Sequence, residues 1–126
     1  MIRGVRGATT ILEDSEKEII SKTEELLRSM IKANSIVAED VAQVLISVTA
    51  DITACFPAKA LRNLDGWDFV PVMCTKEIAV PKSLPSCIRI MMTVNTELAQ
   101  QNIQHIYLHG AVTLRPDLAK SLTVDN

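Results

Sequence analysis

The sequence CIRIMMTV, from Cys87 to Val94, is the most strand-like apolar run of the chain. Successive residues of a β-strand point to opposite faces, so this run predicts a strand whose core face carries isoleucine, methionine and valine. The opposite face carries Arg89, whose guanidinium cannot lose its charge and is costly to bury without a partner. We therefore expect an anionic partner for Arg89. An internal carboxylate and a bound ligand are equally good candidates at this point.

The rest of the chain predicts further strands and two helices around this strand. Apolar residues at helical spacing follow a capping-box pattern at Ser15 and Glu18. Strands are predicted at residues 2–11, 41–49, 68–75, 87–96 and 105–115, and helices at residues 16–33 and 57–64. The order β-α-β-α-β-β-β predicts an α+β, two-layer domain, with a mixed sheet and both helices on one face. We expect one domain over residues 1–126, with about 116–126 as a flexible C-terminal tail.

The composition excludes several classes of protein. A chain of 126 residues suits one domain, and a net charge of -2 leaves no basic surface for nucleic acid. No apolar run reaches the roughly 18 residues that a membrane span needs. Three cysteines without a C-x-x-C pair, and a start without signal-peptide features, predict a cytoplasmic protein with reduced thiols. Because 48% of the residues are hydrophobic, we expect other subunits to cover part of the surface.

Two further charged residues are candidates for a binding site. Arg6 shares a face of the first strand with Ile2, Gly4 and Ala8, and on its own this pattern favours a solvated strand edge. Glu77 directly follows the third strand. A carboxylate at a strand end can accept a hydrogen bond from a substrate hydroxyl, or it can be a solvated loop acid.

The remaining reactive side chains give weaker signals. Tyr107 is the only tyrosine, and it is either a core residue or a hydroxyl directed at an anion. Cys74 alternates with valines, which favours an inert, buried thiol. His105 and His109 lie four residues apart on a predicted strand without a third ligand, so we expect no metal site.

No motif for covalent or cofactor chemistry is evident in the sequence. It contains no Ser-His-Asp order, no glycine-rich phosphate loop and no dinucleotide fingerprint, and we expect no cofactor. The remaining candidate groups are arginines on the predicted sheet and one glutamate at a strand end. This combination suits an anionic small molecule that carries a hydroxyl.

Four motifs in order along the chain resemble those of one family. They are RGVRGATT at residues 3–10, FPAKALR at 56–62, CIRIMMTV at 87–94, and YL at 107–108 with LRPDL at 114–118. Together they resemble the small, monofunctional chorismate mutases of the Bacillus type, over nearly the whole chain. The resemblance implies a homotrimer that forms a pseudo-α/β-barrel, with three sites in clefts between neighbouring subunits. The implied reaction is the Claisen rearrangement of chorismate to prephenate, on the route to phenylalanine and tyrosine.

The resemblance also implies roles for particular residues. Arg89 is similar to the arginine that faces the ether oxygen of the breaking bond and a substrate carboxylate. Arg6 and the hydroxyl of Tyr107 are similar to the carboxylate binders, and Glu77 and the backbone of Cys74 to the partners of the ring hydroxyl.

The outer part of the implied site is formed by residues of the second and fourth motifs. They resemble an apolar wall (Phe56, Ala58 and Leu114) and a charged rim and mobile tail that capture the substrate (Lys59, Arg62 and Arg115). Met73 departs from the family pattern, which often has threonine at this position, and it implies an altered minor contact.

The implied reaction agrees with the sparse chemistry of the sequence. A unimolecular rearrangement needs positioning and stabilisation of a growing negative charge, but no acid, base or nucleophile. The alternative is a trimeric small-carboxylate-binding protein, or an enamine or imine hydrolase, similar to the YjgF-like proteins. Glu77 and Tyr107 separate these hypotheses, because the mutase requires both beside Arg89. A purely structural trimer would leave several arginines on apolar strands unexplained.

Overall fold

The computed structural model describes residues 1–115. The predicted tail at 116–126 lies outside the described residues. The structure has one α-helix and five strands in this range: β1 (Ile2–Thr10), α1 (Glu16–Asn34), β2 (Val41–Val48), β3 (Val72–Lys76), β4 (Cys87–Asn95) and β5 (Ile106–Tyr107). Four short 3-10 helices occur in the same range, at Ala38–Asp40, Pro57–Asn63, Gln100–Asn102 and His109–Thr113.

The five strands form one mixed sheet in the order β3-β2-β4-β1-β5. The central strand, β4, pairs antiparallel with β1 on one side and with β2 on the other. The outer strands β5 and β3 pair parallel with β1 and β2. The strand that carries Arg89 is therefore held by backbone hydrogen bonds along both edges.

Helix α1 begins where the sequence predicts and ends with a left-handed residue. The Oγ of Ser15 accepts a hydrogen bond from the amide of Glu18 at 3.2 Å, which satisfies one of the first free amides of the helix. The carboxylate of Glu18 accepts from Leu12 N at 3.0 Å instead of the Ser15 amide, so the capping box is only half formed. Ser35 ends the helix with φ 51°, and its amide contacts the last-turn carbonyls.

The core lies between α1 and one face of the sheet. Alternate β4 residues Ile88, Ile90, Met92 and Val94 are buried, and so are Ile19, Leu26, Leu27 and Met30 of the helix. The 3-10 helix Pro57–Asn63 contributes Ala60 and Leu61 to the same cluster. This arrangement confirms an α+β fold with the helices on one face and the predicted alternation of β4.

Three predicted elements differ from the structure. The second helix is a 3-10 helix at Pro57–Asn63 and not an α-helix. The third strand begins at Val72 and not at residue 68, because Pro71 has no amide to donate and Val70 N instead closes a turn on Trp67 O at 3.1 Å. The predicted strand at 105–115 is wrong beyond Tyr107: His109 turns the chain with φ 52° into the 3-10 helix His109–Thr113.

No helix within residues 1–115 combines the length and the apolar character that a membrane crossing requires.

Candidate active site

Strand pairing places five site-forming residues in a single row across the sheet. Arg89 on β4 lies between Ala8 on β1 and Ser47 on β2. The row continues to Tyr107 on β5, which pairs with Ala8, and to Thr75 on β3, which pairs with Ser47. Neighbouring strands are about 4.8 Å apart, so the small side chains of Ala8 and Ser47 leave open space on both sides of the arginine.

Arg89 has its anionic partner within the chain. Its Nη1 donates a hydrogen bond to Glu77 Oε2 at 3.1 Å, and the Ser47 hydroxyl donates to the same oxygen at 2.9 Å. The side chain of Arg89 remains 53% exposed, whereas that of Glu77 is 24% exposed. The ion pair uses one of the five N–H donors of the guanidinium, so Arg89 has an internal carboxylate partner and keeps further donors for a ligand.

Glu77 is held in its ionised form. Burial raises the pKa of its carboxyl, but the Ser47 hydroxyl and the Arg89 guanidinium lower it by more, so the net pKa lies below the usual value. Its Oε1 accepts from the Ile78 amide at 3.3 Å. A carboxylate offers about four acceptor positions, so one remains for a further donor such as a ligand hydroxyl.

A cleft of about 270 Å³ brings together four of the residues that sequence reasoning selected. Arg6, Glu77, Arg89 and Tyr107 all line it. Tyr107 is only 7% exposed because its ring packs against Ala8 and Ala111. The cleft lies on the face of the sheet opposite α1, as the alternation of β4 predicts.

The residues of the second sequence motif lie elsewhere. Phe56, Ala58, Lys59 and Arg62, on or beside the 3-10 helix Pro57–Asn63, line a cavity of about 510 Å³. Phe56 and Lys59, together with Cys74, also line one of about 620 Å³. Arg89 lines neither cavity, so one chain does not join the two groups of predicted residues into one site.

Three predicted residues stand outside these cavities. Met73 is 65% exposed on β3, and it pairs with Leu45 beside the Arg89 row. Leu114 follows the 3-10 helix His109–Thr113 and is partly exposed. Arg115 is the last residue that the structure describes, and its charge reaches His105. The structure does not place Leu114 or Arg115 among the residues that line the Arg89 cleft.

The thiols of the chain are poor nucleophiles. All three cysteines lie in the described range and are free. Burial raises the pKa of the Cys74 and Cys55 thiols, and it raises that of Cys87 to about 11. Each is therefore protonated at neutral pH, which agrees with the expectation that Cys74 is inert. Within residues 1–115, no group of three or more His, Cys, Asp or Glu side chains is arranged to hold a metal ion.

Sequence reasoning missed two residues beside Arg89 as parts of the site, Ala8 and Ser47. Ser47 fixes Glu77, and Ala8 provides space, but neither carries a chemical signal of its own. Ser47, like Gln43, is a polar residue within the otherwise apolar run Val41–Val48, which was the available clue. Only the register of three strands shows that Ala8, Arg89 and Ser47 are neighbours.

The fold and the cleft define the chain as an α+β protein that presents a guanidinium and a carboxylate on the open face of its sheet. Residues 2–118 match the profile of the family described as "Chorismate mutase type I". The chain belongs to this family, and its class of activity is that of an isomerase.

Named relatives agree with this assignment. The chain is 53% identical to chorismate mutase AroH of Bacillus subtilis (strain 168) over 119 residues, which is 94% of each chain. It is 45% identical to chorismate mutase AroH of Thermus thermophilus over 119 residues, covering 94% of this chain and 97% of the relative. A solved chorismate mutase from Clostridium thermocellum superposes with a TM-score of 0.85 at 43% identity, covering 87% and 97%. The alternative of a YjgF-like protein finds no support in these matches.

Proposed function

We propose that this chain converts chorismate into prephenate, on the route to phenylalanine and tyrosine. The observation that carries the proposal is that Glu77, Tyr107 and Arg6 line one cleft with Arg89. Chorismate carries two carboxylates, an ether oxygen and a ring hydroxyl. The cleft offers two guanidiniums, a phenol and an ionised carboxylate with acceptor capacity to spare.

The rearrangement requires the protein to hold the substrate in the reactive conformer and to place a positive charge near the ether oxygen. The substrate breaks one C–O bond and forms one C–C bond in a single step, so no proton or electron is exchanged with the protein. Holding the chair-like conformer supplies part of the rate enhancement. The rest comes from a fixed positive charge near the ether oxygen, which becomes negative as the C–O bond breaks. In our proposal Arg89 provides this charge, and its strand is held along both edges.

The other residues hold the substrate in this proposal. Arg6 and the Tyr107 hydroxyl bind its carboxylates, and Glu77 accepts a hydrogen bond from its ring hydroxyl together with the Cys74 backbone. The outer part of the site consists of an apolar wall of Phe56, Ala58 and Leu114 and a charged rim of Lys59, Arg62 and Arg115, and Met73 makes a minor contact.

We further propose a homotrimer with its sites between subunits. Two observations support it. The predicted site residues divide between the Arg89 cleft and the cavities beside the 3-10 helix Pro57–Asn63, so a complete site needs both groups from different chains. Leu45 and Met91, which line the cleft, are also exposed in one row with Met73, where a neighbouring subunit would cover them. The free thiols agree with the proposed cytoplasmic location.

The activity is tested by following the loss of chorismate absorbance with purified protein and identifying the product by NMR. Conversion to prephenate is expected, and Arg89→Met should abolish most of it. If the folded wild-type protein left chorismate unchanged, the proposal would be wrong.

The assembly is tested by mass and by mixing. Light scattering should give about three times the 13.9 kDa mass of the chain. Arg89→Met subunits co-assembled with Lys59→Ala/Arg62→Ala subunits should regain activity that neither variant has alone, because some mixed sites contain neither substitution. A monomeric mass, or no recovery in proven mixed oligomers, would contradict shared sites.

A further inference from the structure

The last residue of α1 binds the chain just before β5. Asn34 is 5% exposed, and its Nδ2 donates to Met30 O at 3.0 Å and to Gln104 O at 2.9 Å. Its Oδ1 accepts from Gln104 N at 2.7 Å. Both backbone groups of Gln104 are therefore bound to a buried side chain of the helix, which fixes the position of the next residue, His105.

The ladder between β5 and β1 does not provide a backbone acceptor for the Arg6 amide. The parallel ladder pairs Gly7 with Ile106 and Ala8 with Tyr107. One residue earlier on β1, the Arg6 amide donates to the Nδ1 of His105 at 3.0 Å. The His105 imidazole thus extends the ladder by one hydrogen bond, because the Gln104 carbonyl accepts from Asn34 instead.

This hydrogen bond specifies the state of the imidazole. Nδ1 accepts only when it carries no proton, so the ring is the neutral tautomer with its proton on Nε2. Burial lowers the pKa of His105, and the positive charges of Arg6 and Arg115 lower it further. The ring is therefore neutral at pH 7, and the acceptor is available.

We propose that His105 is a positioning residue for substrate binding, because its Nδ1 fixes the β1 backbone at Arg6 and so directs the Arg6 guanidinium into the cleft. This inference rests on the proposed role of Arg6 as a carboxylate binder. On the far side, β4 pairs with β1 over its full length, and on the β5 side His105 supplies the acceptor for the Arg6 amide.

Two substitutions of His105 place a side-chain acceptor at different distances from the backbone. Oδ1 of asparagine is one bond from Cγ, as is Nδ1 of histidine, so His105→Asn retains an acceptor near the Arg6 amide. Glutamine places its oxygen one bond further out, close to the position of Nε2, so His105→Gln removes the acceptor while keeping a polar side chain. Neither variant titrates, so a difference between them does not arise from a change of charge and reflects where the acceptor lies, together with the one added methylene of glutamine.

The decisive measurement is steady-state kinetics with chorismate at neutral pH. His105→Gln should raise KM about fivefold with little change in kcat, the scale expected for one lost hydrogen bond, and His105→Asn should stay near the wild-type KM. A merely structural role would lower the melting temperature of both variants and the activity of both alike. Equal KM values for the two variants would overturn the proposal.

A second measurement needs no substrate. Long-range ¹H–¹⁵N NMR of the histidine rings should show His105 as the Nε2–H tautomer at neutral pH, and the Arg6 amide resonance should shift in His105→Gln but little in His105→Asn. A protonated ring or the Nδ1–H tautomer would also overturn the proposal. If the wild-type protein left chorismate unchanged while these signals were as expected, the proposed activity would fail and the His105–Arg6 bond would stand.

Discussion

At the scale of single residues, Arg89 is a charge that is oriented before any substrate arrives. Ser47 and Arg89 donate to the same oxygen of Glu77, so the carboxylate and the guanidinium hold each other in place. Because more than half of the Arg89 side chain is exposed, its charge is accessible to a ligand and solvated in the free protein. The expectation of an anionic partner is thus confirmed, with Glu77 as the partner inside the chain.

Replacing Arg89 with citrulline, its neutral isostere, tests the role of the charge. We expect kcat to fall by at least about 10²–10³, the scale of removing one donor from a developing oxyanion. KM should change less, because other residues bind the carboxylates in our proposal. Steady-state kinetics with chorismate measure both constants. A raised KM with an unchanged kcat would make Arg89 a binding residue only.

Replacing Ser47 with alanine tests how Glu77 is kept ionised. The Ser47 hydrogen bond lowers the pKa of Glu77, so its loss raises that pKa. If activity requires the carboxylate, kcat/KM of Ser47→Ala should begin to fall at a higher pH than that of the wild type as the solution is acidified. Ser47→Thr keeps a hydroxyl and should retain the wild-type profile. Identical pH profiles for Ser47→Ala and the wild type would show that this hydrogen bond does not control the pKa of Glu77.

At the scale of secondary structure elements, local patterns predicted the structure where one face of an element is buried. The alternation in Cys87–Val94 correctly assigned both faces of β4, and helical spacing with a Ser15 cap located α1 to within about one residue at each end. The strand predicted at 105–115 was wrong beyond Tyr107 because the chain turns at His109, and the 3-10 helix that follows buries Ala111 alone. The Gly110 in that stretch was a turn signal that the apolar pattern outweighed.

Gly7 marks a close approach of α1 to the sheet. A Cβ at this position would lie 2.5 Å from Met30 Sδ and 3.0 Å from Leu26 Cδ1, and both side chains are fully buried. We expect Gly7→Ala to lower the free energy of unfolding by about 1–3 kcal/mol through overpacking. Denaturant unfolding at a fixed protein concentration measures this change.

Gly4 offers the matched control on the same strand. A Cβ there would meet only Met91 Sδ at 3.4 Å, which is ordinary contact. Gly4→Ala should be neutral or slightly stabilising, because alanine has less freedom in the unfolded chain. Equal losses in both variants would show that strand conformation, and not the helix contact, requires glycine.

At the scale of the whole molecule, the pairing register of the strands determines which residues form the site. No single strand's sequence predicts that register. Tyr107, Ala8, Arg89 and Ser47 come from four strands and become neighbours only through the pairing of the sheet. Single-strand patterns showed which face each residue occupies, but not which residues lie side by side. The resemblance to a family supplied the grouping that the physical patterns could not supply.

Acid stability also belongs to this scale, because it compares the folded and unfolded chains. The folded protein lowers the pKa of His105 below its ordinary value of 6.5, so the unfolded chain binds more protons as the pH falls past that value. The free energy of unfolding should therefore decrease as the pH falls from about 6.5 toward the pKa of the folded state. Asp14 and Asp51, whose pKa values are lowered from 3.8, lose their contributions only at lower pH.

His105→Asn should flatten the upper part of this acid profile, because asparagine does not titrate. Chemical unfolding at a series of pH values gives the slope for each protein. The control variant His109→Asn leaves His105 in place, so the contribution of His105 to the slope should be retained. If His105→Asn kept the wild-type slope below about pH 6.5, His105 would not be the group responsible.

A single layer of backbone separates the core from the cleft. Along β4, Ile88 and Ile90 pack under α1, and Arg89 between them faces the cleft. A substitution that changes the core volume therefore also changes the active-site geometry, because both faces belong to the same strand. In a library randomised at Ile88 and Ile90, many sequences should pass a selection for folding and fail a selection for growth without added phenylalanine and tyrosine. Catalytic fitness would then constrain residues that never contact the substrate.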